Sequence, residues 1–544
     1  MAIVSFSLSR LQSESKVTDV AEAIDMLGMS VESIEGDEIK IDITPNRPDL
    51  LDFFGLARAI AYFRGQRSPD GENYQKLYDS RLEINVSDSV KGTRPFIAGI
   101  VVEWVNLEGD NLKYLINFTE KIADTYGRRR RKIAIGLHNL DKIEGNLTYE
   151  AKDEGAITPL GSNSKESFAE VMKGKKGVKF GGAAQGKPLV LSDSKKAIAL
   201  IPVTNCEETK VDQTTRNLFI DVTGTFRKAV EDIAALLACS FIDQKAKVSK
   251  VAIKYGSKKA ETPHTEYKEE KIHLSEIDRT IGAKLSESDL IAISNRLGYR
   301  GAKYGDYLLI YIPPYRLDYI NSQDVVEDIA IGFGYSNIVP LPVMSSSLGT
   351  VNVLTDLTGK IASLMVGLGF DEAMNNYITN DEMQFDSMNI KREPDVVKIL
   401  YSKTASLTSL RTSIMPSLLA NLGISQHEKM PIKLFECGSV FRLDNGKAVE
   451  GFSVAFAMEA SEANFANVKS YFEALADGIG LKTSIKPTAD GRFINGRCAG
   501  VFAGGAKIGA FGEIHPAVLK HFGIAEPTVA AEIMLLEEID YYRD

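Results

Sequence analysis

No closely spaced cysteine pair, no apolar run of membrane length and no phosphate loop occurs in this chain. Its four cysteines, Cys206, Cys239, Cys437 and Cys498, lie far apart, which excludes a paired-cysteine zinc knuckle and suits a reducing compartment. No stretch approaches the roughly 20 apolar residues that span a bilayer. The start MAIVSFSLSRLQSES has neither the basic end nor the apolar middle of a signal peptide. The expectation is a cytoplasmic protein with no membrane contact. Because G-x-x-x-x-G-K-[ST] is missing as well, a Mg²⁺-dependent phosphoryl transferase finds no support. Positive charge is not in excess: 64 Lys and Arg against 73 Asp and Glu leave a net −9, so any nucleic-acid contact must come from local charge.

What is there is an ordinary globular composition, 44% hydrophobic and 25% charged, over 544 residues, too many for one core. The segment VTDVAEAIDMLG at 17 to 28 reads as a helix stopped by Gly28. Residues 35 to 43 alternate as a strand before the turn Pro45-Asn46-Arg47-Pro48, and an apolar helix then runs to Gly65. From 82 to 263, strand-like runs (RLEINV, FIAGIVVEWV, RKIAIGL, PLVLSD, AIALIPV, NLFIDVT, KVSKVAIKY) alternate with helices at 110 to 126 and 226 to 242. The charged stretch GSKKAETPHTEYKEEK reads as the edge of that module. Three short helices with one strand, DYLLIYIP, fill 272 to 340. A last α+β region has helices at 354 to 368 and 413 to 427, followed by two strands. The fold class is α+β multidomain.

Two charge clusters stand out. Arg128 to Lys132 are five consecutive cations before the apolar IAIGL, either a solvated face or a contact for phosphates or an acidic partner. Asp318, Asp324, Glu327 and Asp328 crowd the start of one short helix, the last three on neighbouring positions of its surface. Oxygen-only ligands of this kind suit Mg²⁺ better than Zn²⁺, although spacing alone favours a solvated acidic helix start.

The segment YRLDYINSQDVVEDIAIGFGYSNI, which carries that cluster, resembles the signature of the phenylalanyl-tRNA synthetase beta-subunit family in its archaeal and eukaryotic form. In the same order, DITPNRPDLLDFFGLARAIAYFRG, GRRRRKIAIGLHNLDKI, NLFIDVTGT, LRTSIMPSLLANL and LFECGSVFR match too, over nearly the whole chain. The resemblance implies an N-terminal α+β region (1–85), a B3/B4-type tRNA editing domain (86–265), a small helical, nucleic-acid-binding-like B5-type domain with Mg²⁺-binding carboxylates (266–342), and an antiparallel-sheet domain like the class II synthetase catalytic fold (343–544). It also implies a partner alpha subunit in an α₂β₂ heterotetramer, with ATP and phenylalanine bound through that partner, and tRNA as the shared substrate.

The last domain departs from the ligase pattern. Glu436 and Arg442 in LFECGSVFR are only reminiscent of an ATP clamp, and GRCAGVFAGGAKIGAFGEIHP lacks the terminal arginine that would neutralise the triphosphate, so it reads as an inactive scaffold with Arg411 structural. The resemblance assigns Asp318, Asp324, Glu327 and Asp328 to the magnesium ion. It makes the middle module a hydrolase of tyrosine wrongly attached to the phenylalanine tRNA, needed because an apolar pocket rejects an added hydroxyl only about a hundredfold.

Candidate editing residues are Asn205, Glu207, Thr209, Asp221, Thr223 and His138. Each also has an ordinary reading, as turn residue, strand-end polar group or satisfied core histidine. Cys206 stands where the family pattern has serine and reads as a small apolar residue. The competing function is a free-standing deacylase, which has no use for a large, ligase-like last domain.

Overall fold

In the strand Asn217–Gly224 successive side chains take opposite faces, and both faces are buried. Leu218, Ile220 and Val222 pack into one core with Phe118 and Ile122 of the helix Asn111–Asp124 and with Ile233 and Leu237 of the helix Arg227–Asp243. Phe219 faces a second core with Tyr149, Leu189 and Leu200. This strand belongs to a ten-stranded sheet whose path runs Thr204–Asn205, Ala197–Ile201, Leu189–Ser192, Leu147–Ala151, Tyr78–Val86, Lys247–Tyr255, Phe96–Glu103, Asn217–Gly224, Ile133–Asn139. The tenth strand, Lys258–Thr262, pairs with Lys247–Tyr255. Tyr78–Val86 runs parallel to both its neighbours, and the other pairs are antiparallel.

The computed structural model describes residues 2–536 and 539, apart from 72, 186, 341, 343–346, 403 and 405. It divides into two compact units, Met1–Pro342 and Val343–Asp544. Within the first, the three segments that read as separate modules share one continuous core, from Ala2 to Ala330. The helix Phe53–Phe63 fastens it. Arg58, buried on this helix, pairs with Asp243, lies 3.7 Å from Asp49 and places its guanidinium 3.6 Å from the Tyr315 ring centre. Asp52 caps the same helix, accepting from Gly55 N at 3.0 Å and from the Ser240 hydroxyl at 2.6 Å, and burial pushes its carboxyl up to about 6.

The stretch read as a charged module edge holds two strands, Lys258–Thr262 and Lys268–His273. The second joins Tyr307–Ile312 and Arg300–Tyr304 in a three-stranded antiparallel sheet beside the helices Leu274–Ile281, Glu287–Arg296 and Ser322–Phe333. Only Ile272 of KEEKIH is buried and no residue of RGAKY is, so neither strand carries an apolar alternation in its sequence.

In the second unit a seven-stranded sheet runs Asp371–Glu372, Ile432–Asp444, Lys447–Glu459, Thr528–Leu536, Ala506–Ile514, Phe493–Ala503, Ser484–Pro487, antiparallel except at its first pair. Alternation in Lys447–Glu459 sends Val454, Phe456 and Met458 to a core with the helices Val353–Gly367 and Phe465–Gly478, and Ala455 and Ala457 to a core with Met415–Ile424 and Pro516–Phe522. No helix of the described residues is long and apolar enough to cross a membrane.

Candidate functional site

A cavity of about 740 Å³ opens beside the strands Ile133–Asn139 and Asn217–Gly224 and the short helix Lys175–Phe180. Ile135, Leu137, Leu200, Val203 and Phe180 make much of its wall apolar, while Asp221 and Asn205 supply polar groups. Lys175, Lys176 and Lys179, all exposed, put three cations on its lining. An apolar box with one buried carboxylate, Asp221, a second and exposed one, Glu120, and a basic mouth suits a neutral aromatic group attached to a polyanion.

Asp221 reaches the cavity because of the residue opposite it. Gly136 is its register partner on the neighbouring strand, and a Cβ there would lie 2.1 Å from Asp221 Oδ1. Behind the carboxylate, His138 Nε2 lies 3.1 Å from Asp221 Oδ1 and Nδ1 lies 2.9 Å from the Thr209 hydroxyl, which is 3.2 Å from the Cys206 sulfur. All four are buried. With Asp221 as the acceptor, His138 donates from Nε2, and its Nδ1 shares a hydrogen bond with the Thr209 hydroxyl. The histidine thus orients the carboxylate, and both its nitrogens are used.

The other candidates take different places. Asn205 lines the cavity, its amide donating to the Leu137 carbonyl at 3.1 Å. Glu207 lies aside, accepting from Gly161 N at 2.7 Å and pairing with Lys210 at 3.0 Å. Thr223 shares the face of Asp221 yet is fully buried beneath Arg94, whose Nε donates to the Thr223 hydroxyl at 3.0 Å and whose Nη2 donates to its carbonyl at 2.7 Å. Burial pushes the Cys206 thiol up, which agrees with a small apolar residue and not a nucleophile.

Sequence reasoning missed two arginines. Arg94 is wholly buried, and burial pulls its guanidinium down to about 10, with Tyr149 and Asp221 working the other way. Arg130, one of the five consecutive cations, turns inward to line the cavity, donating to the Pro202 carbonyl at 3.0 Å and lying 4.1 Å from the Phe180 ring centre. Nothing in GTRPF marks Arg94 as a core residue, and nothing in RRRRK marks its third member as different.

The four clustered carboxylates split into two pairs. Asp318 takes a bidentate contact from Arg316, at 2.9 and 2.8 Å, and Asp328 accepts from the same guanidinium at 2.6 Å and from the Tyr299 hydroxyl. Burial works to raise Asp318, but the Arg316 charge and hydrogen bonds, with Arg47, win and hold it at about 2. Asp324 caps the helix Ser322–Phe333, its Oδ2 accepting from the Ile320 and Asn321 amides at 2.7 and 2.8 Å, and Glu327 is exposed. Among the described residues no group of three or more histidine, cysteine or carboxylate side chains is arranged to hold a metal ion. The acidic oxygens left uncommitted are Asp324 Oδ1, Asp328 Oδ1 and the Glu327 carboxylate; those of half-buried Asp324 and exposed Glu327 are hard donors that fit part of a Mg²⁺ shell.

In the second unit Arg411 and Glu436 form a buried ion pair. Arg411 Nε donates to the Ser439 carbonyl at 2.9 Å, and Asn375 donates to Glu436 at 2.7 Å. The glutamate with ligase-like surroundings is therefore spent inside the protein. Glu532 accepts from the Ile414 amide at 2.8 Å, so the backbone three residues after Arg411 is tied to the sheet as well.

The chain matches three family models: the phenylalanyl tRNA synthetase beta chain CLM domain over residues 339–535, the tRNA synthetase B5 domain over 271–335 and the B3/4 domain over 105–240. It is 32% identical over 523 residues to a phenylalanine–tRNA ligase beta subunit of Archaeoglobus fulgidus, covering 95% of this chain and 94% of that one. With the beta subunit of Methanococcoides burtonii it shares 30% over 548 residues, covering 99% and 100%. Among solved structures it resembles an N-terminal fragment of the phenylalanyl-tRNA synthetase beta subunit from Pyrococcus horikoshii, with a TM-score of 0.58 and 27% identity, covering 61% of this chain and 100% of the fragment.

Proposed function

Because the chain belongs to the family of phenylalanine–tRNA ligase beta subunits, we propose that it supports phenylalanine charging by an alpha subunit and itself hydrolyses tyrosyl-tRNA in the cavity of its first unit. The observation that carries the second half is Asp221, nearly buried at an apolar cavity and oriented by His138. A tyrosine side chain entering there donates its phenolic hydrogen to the carboxylate. Phenylalanine offers no donor and leaves a desolvated carboxylate with His138 as its one partner among the described residues, so the cavity selects the error. Lys175, Lys176 and Lys179 hold the phosphates of the RNA 3′ end. Hydrolysis then needs a positioned water: it adds to the tyrosyl carbonyl carbon, the bond to the ribose oxygen breaks, and the water's proton passes to that oxygen.

The second unit we read as a catalytically inactive scaffold at the interface of an α₂β₂ heterotetramer in the cytoplasm, with ATP and phenylalanine bound by the partner. The commitment of Glu436 to Arg411 supports this. The test is direct. The purified chain alone gives no phenylalanine-dependent pyrophosphate exchange yet hydrolyses tyrosyl-tRNA, and adding an alpha subunit yields charging. Exchange by the chain alone, or failure to hydrolyse, would refute the corresponding half.

We further propose that Asp324 and Glu327 give a Mg²⁺ ion part of its shell, the rest coming from the alpha subunit, while Asp318 and Asp328 stay with Arg316 and fix the helix that presents the ion. The ion would cancel repulsion between carboxylates and join two chains. Asp324→Asn with Glu327→Gln keeps the cap acceptor and removes the charge. Light scattering should then show a heterotetramer that dissociates more readily and no longer responds to chelation. A tetramer indifferent both to the substitutions and to chelation would sink the bridging role.

A further inference from the structure

Arg128, Arg129 and Arg130 are three consecutive non-glycine residues in the left-handed region, with φ of 50°, 54° and 64°. Such residues crowd their Cβ against the backbone, and a run of three persists only where its surroundings force it. Here they do. Buried Arg94 donates to the Arg130 and Arg131 carbonyls at 3.0 and 3.4 Å, and the Arg129 and Arg130 amides close onto Asp124 and Ala123 of the preceding helix at 3.0 and 2.8 Å. The left-handed turn splits its cations between two sides. Arg130 goes to the cavity described above, and Arg128, Arg129, Arg131 and Lys132 line a separate cup of about 580 Å³ with Thr225 and Asp124.

The cup is short of negative charge. None of its four cations forms an ion pair among the described residues, and the Lys132 ammonium is pushed down by burial and then by Arg128. The 17-residue helix Arg227–Asp243 begins two residues after Thr225. Its N-cap, Phe226, offers no side-chain acceptor, so free amide donors and the positive end of the helix dipole adjoin the cup. Phe226, the residue that follows Thr225 of the cup, is 57% exposed, and an exposed aromatic suits a base better than an acidic peptide.

We infer that this cup binds backbone phosphates of the RNA whose 3′ end occupies the cavity, so that one strained turn grips the RNA from two sides. The inference rests on the cavity receiving that end, and the test separates the two. In the full chain, Arg128→Gln, Arg129→Gln and Arg131→Gln together should weaken binding of uncharged tRNA roughly ten- to a hundredfold and lower the salt slope by about three. The triple lysine variant should keep the slope. Parental affinity and slope in the glutamine variant would overturn the inference. So would an equal loss of slope in the lysine variant, or tighter arginine-dependent binding of polyglutamate than of tRNA. A tyrosyl ester of the terminal CCA trinucleotide, too short to reach the cup, should be hydrolysed by the glutamine variant at the parental rate. If the parental chain fails on that ester, the cavity reading falls while the tRNA-binding result still decides the cup.

Discussion

Asp221→Asn is expected to slow hydrolysis of tyrosyl-tRNA about a hundredfold and to leave phenylalanine charging by the assembled enzyme near the parental rate. Asparagine keeps the volume and can still accept from His138 Nε2, so the fold is spared. What disappears is the charged acceptor for the phenol. A hydrogen bond to a charged group is worth about 1.5–3 kcal/mol, and each 1.36 kcal/mol is tenfold in rate. Gly136→Ala probes the same carboxylate without touching it, because the added methyl would lie 2.1 Å from Asp221 Oδ1 and push it aside. A comparable loss follows. Thr223 behaves differently: its hydroxyl serves Arg94 and not the cavity, so Thr223→Val takes one acceptor from a buried guanidinium and lowers stability more than selectivity. The measurement is deacylation of tyrosyl-tRNA by each purified variant. Parental rates in both Asp221→Asn and Gly136→Ala would remove this carboxylate from the mechanism.

Arg316→Met should destabilise the first unit by about 3–5 kcal/mol, a large part of the 5–15 kcal/mol that holds a typical domain. The guanidinium is buried, grips Asp318 and Asp328 and lies 4.9 Å from the Tyr299 ring centre, and methionine fills its stem but removes the cation both carboxylates share, leaving Asp318 only the influence of Arg47. The pH dependence should weaken. In the parent, Asp318 is depressed from 3.8 to about 2, so its contribution is present above pH 4 and lost as pH falls toward 2. In the variant burial still raises that carboxyl while only Arg47 and a backbone hydrogen bond lower it, so its depression shrinks and less stability is lost as pH falls from 4 toward 2. Denaturant titrations across that range measure both effects. A variant within about 1 kcal/mol of the parent, with the parental pH slope, would show that Arg316 is not what holds the cluster.

Much of the local structure is written in local residues. NLFIDVTG alternates, and its two faces enter two cores; Gly28 stops its helix with φ of 83°; the motifs around Arg411 and in NSQDVVED are built as a strand-to-helix entry and a capped helix start. The ordered segments also sufficed to indicate the family, because each is a contiguous string whose residues act on their neighbours. The sites were decided elsewhere. His138 meets Thr209 across 71 residues and Asp221 across 83, and Arg94 meets Thr223 across 129, separations at which a sequence holds no periodic signal. Spacing put Asp318, Asp324, Glu327 and Asp328 together. Only the fold could assign two of them to Arg316, because whether a carboxylate faces a cation, an amide or water depends on what packs against it. The same holds for RRRRK, five equal charges in the sequence, which a left-handed turn pinned by one buried arginine divides between two cavities.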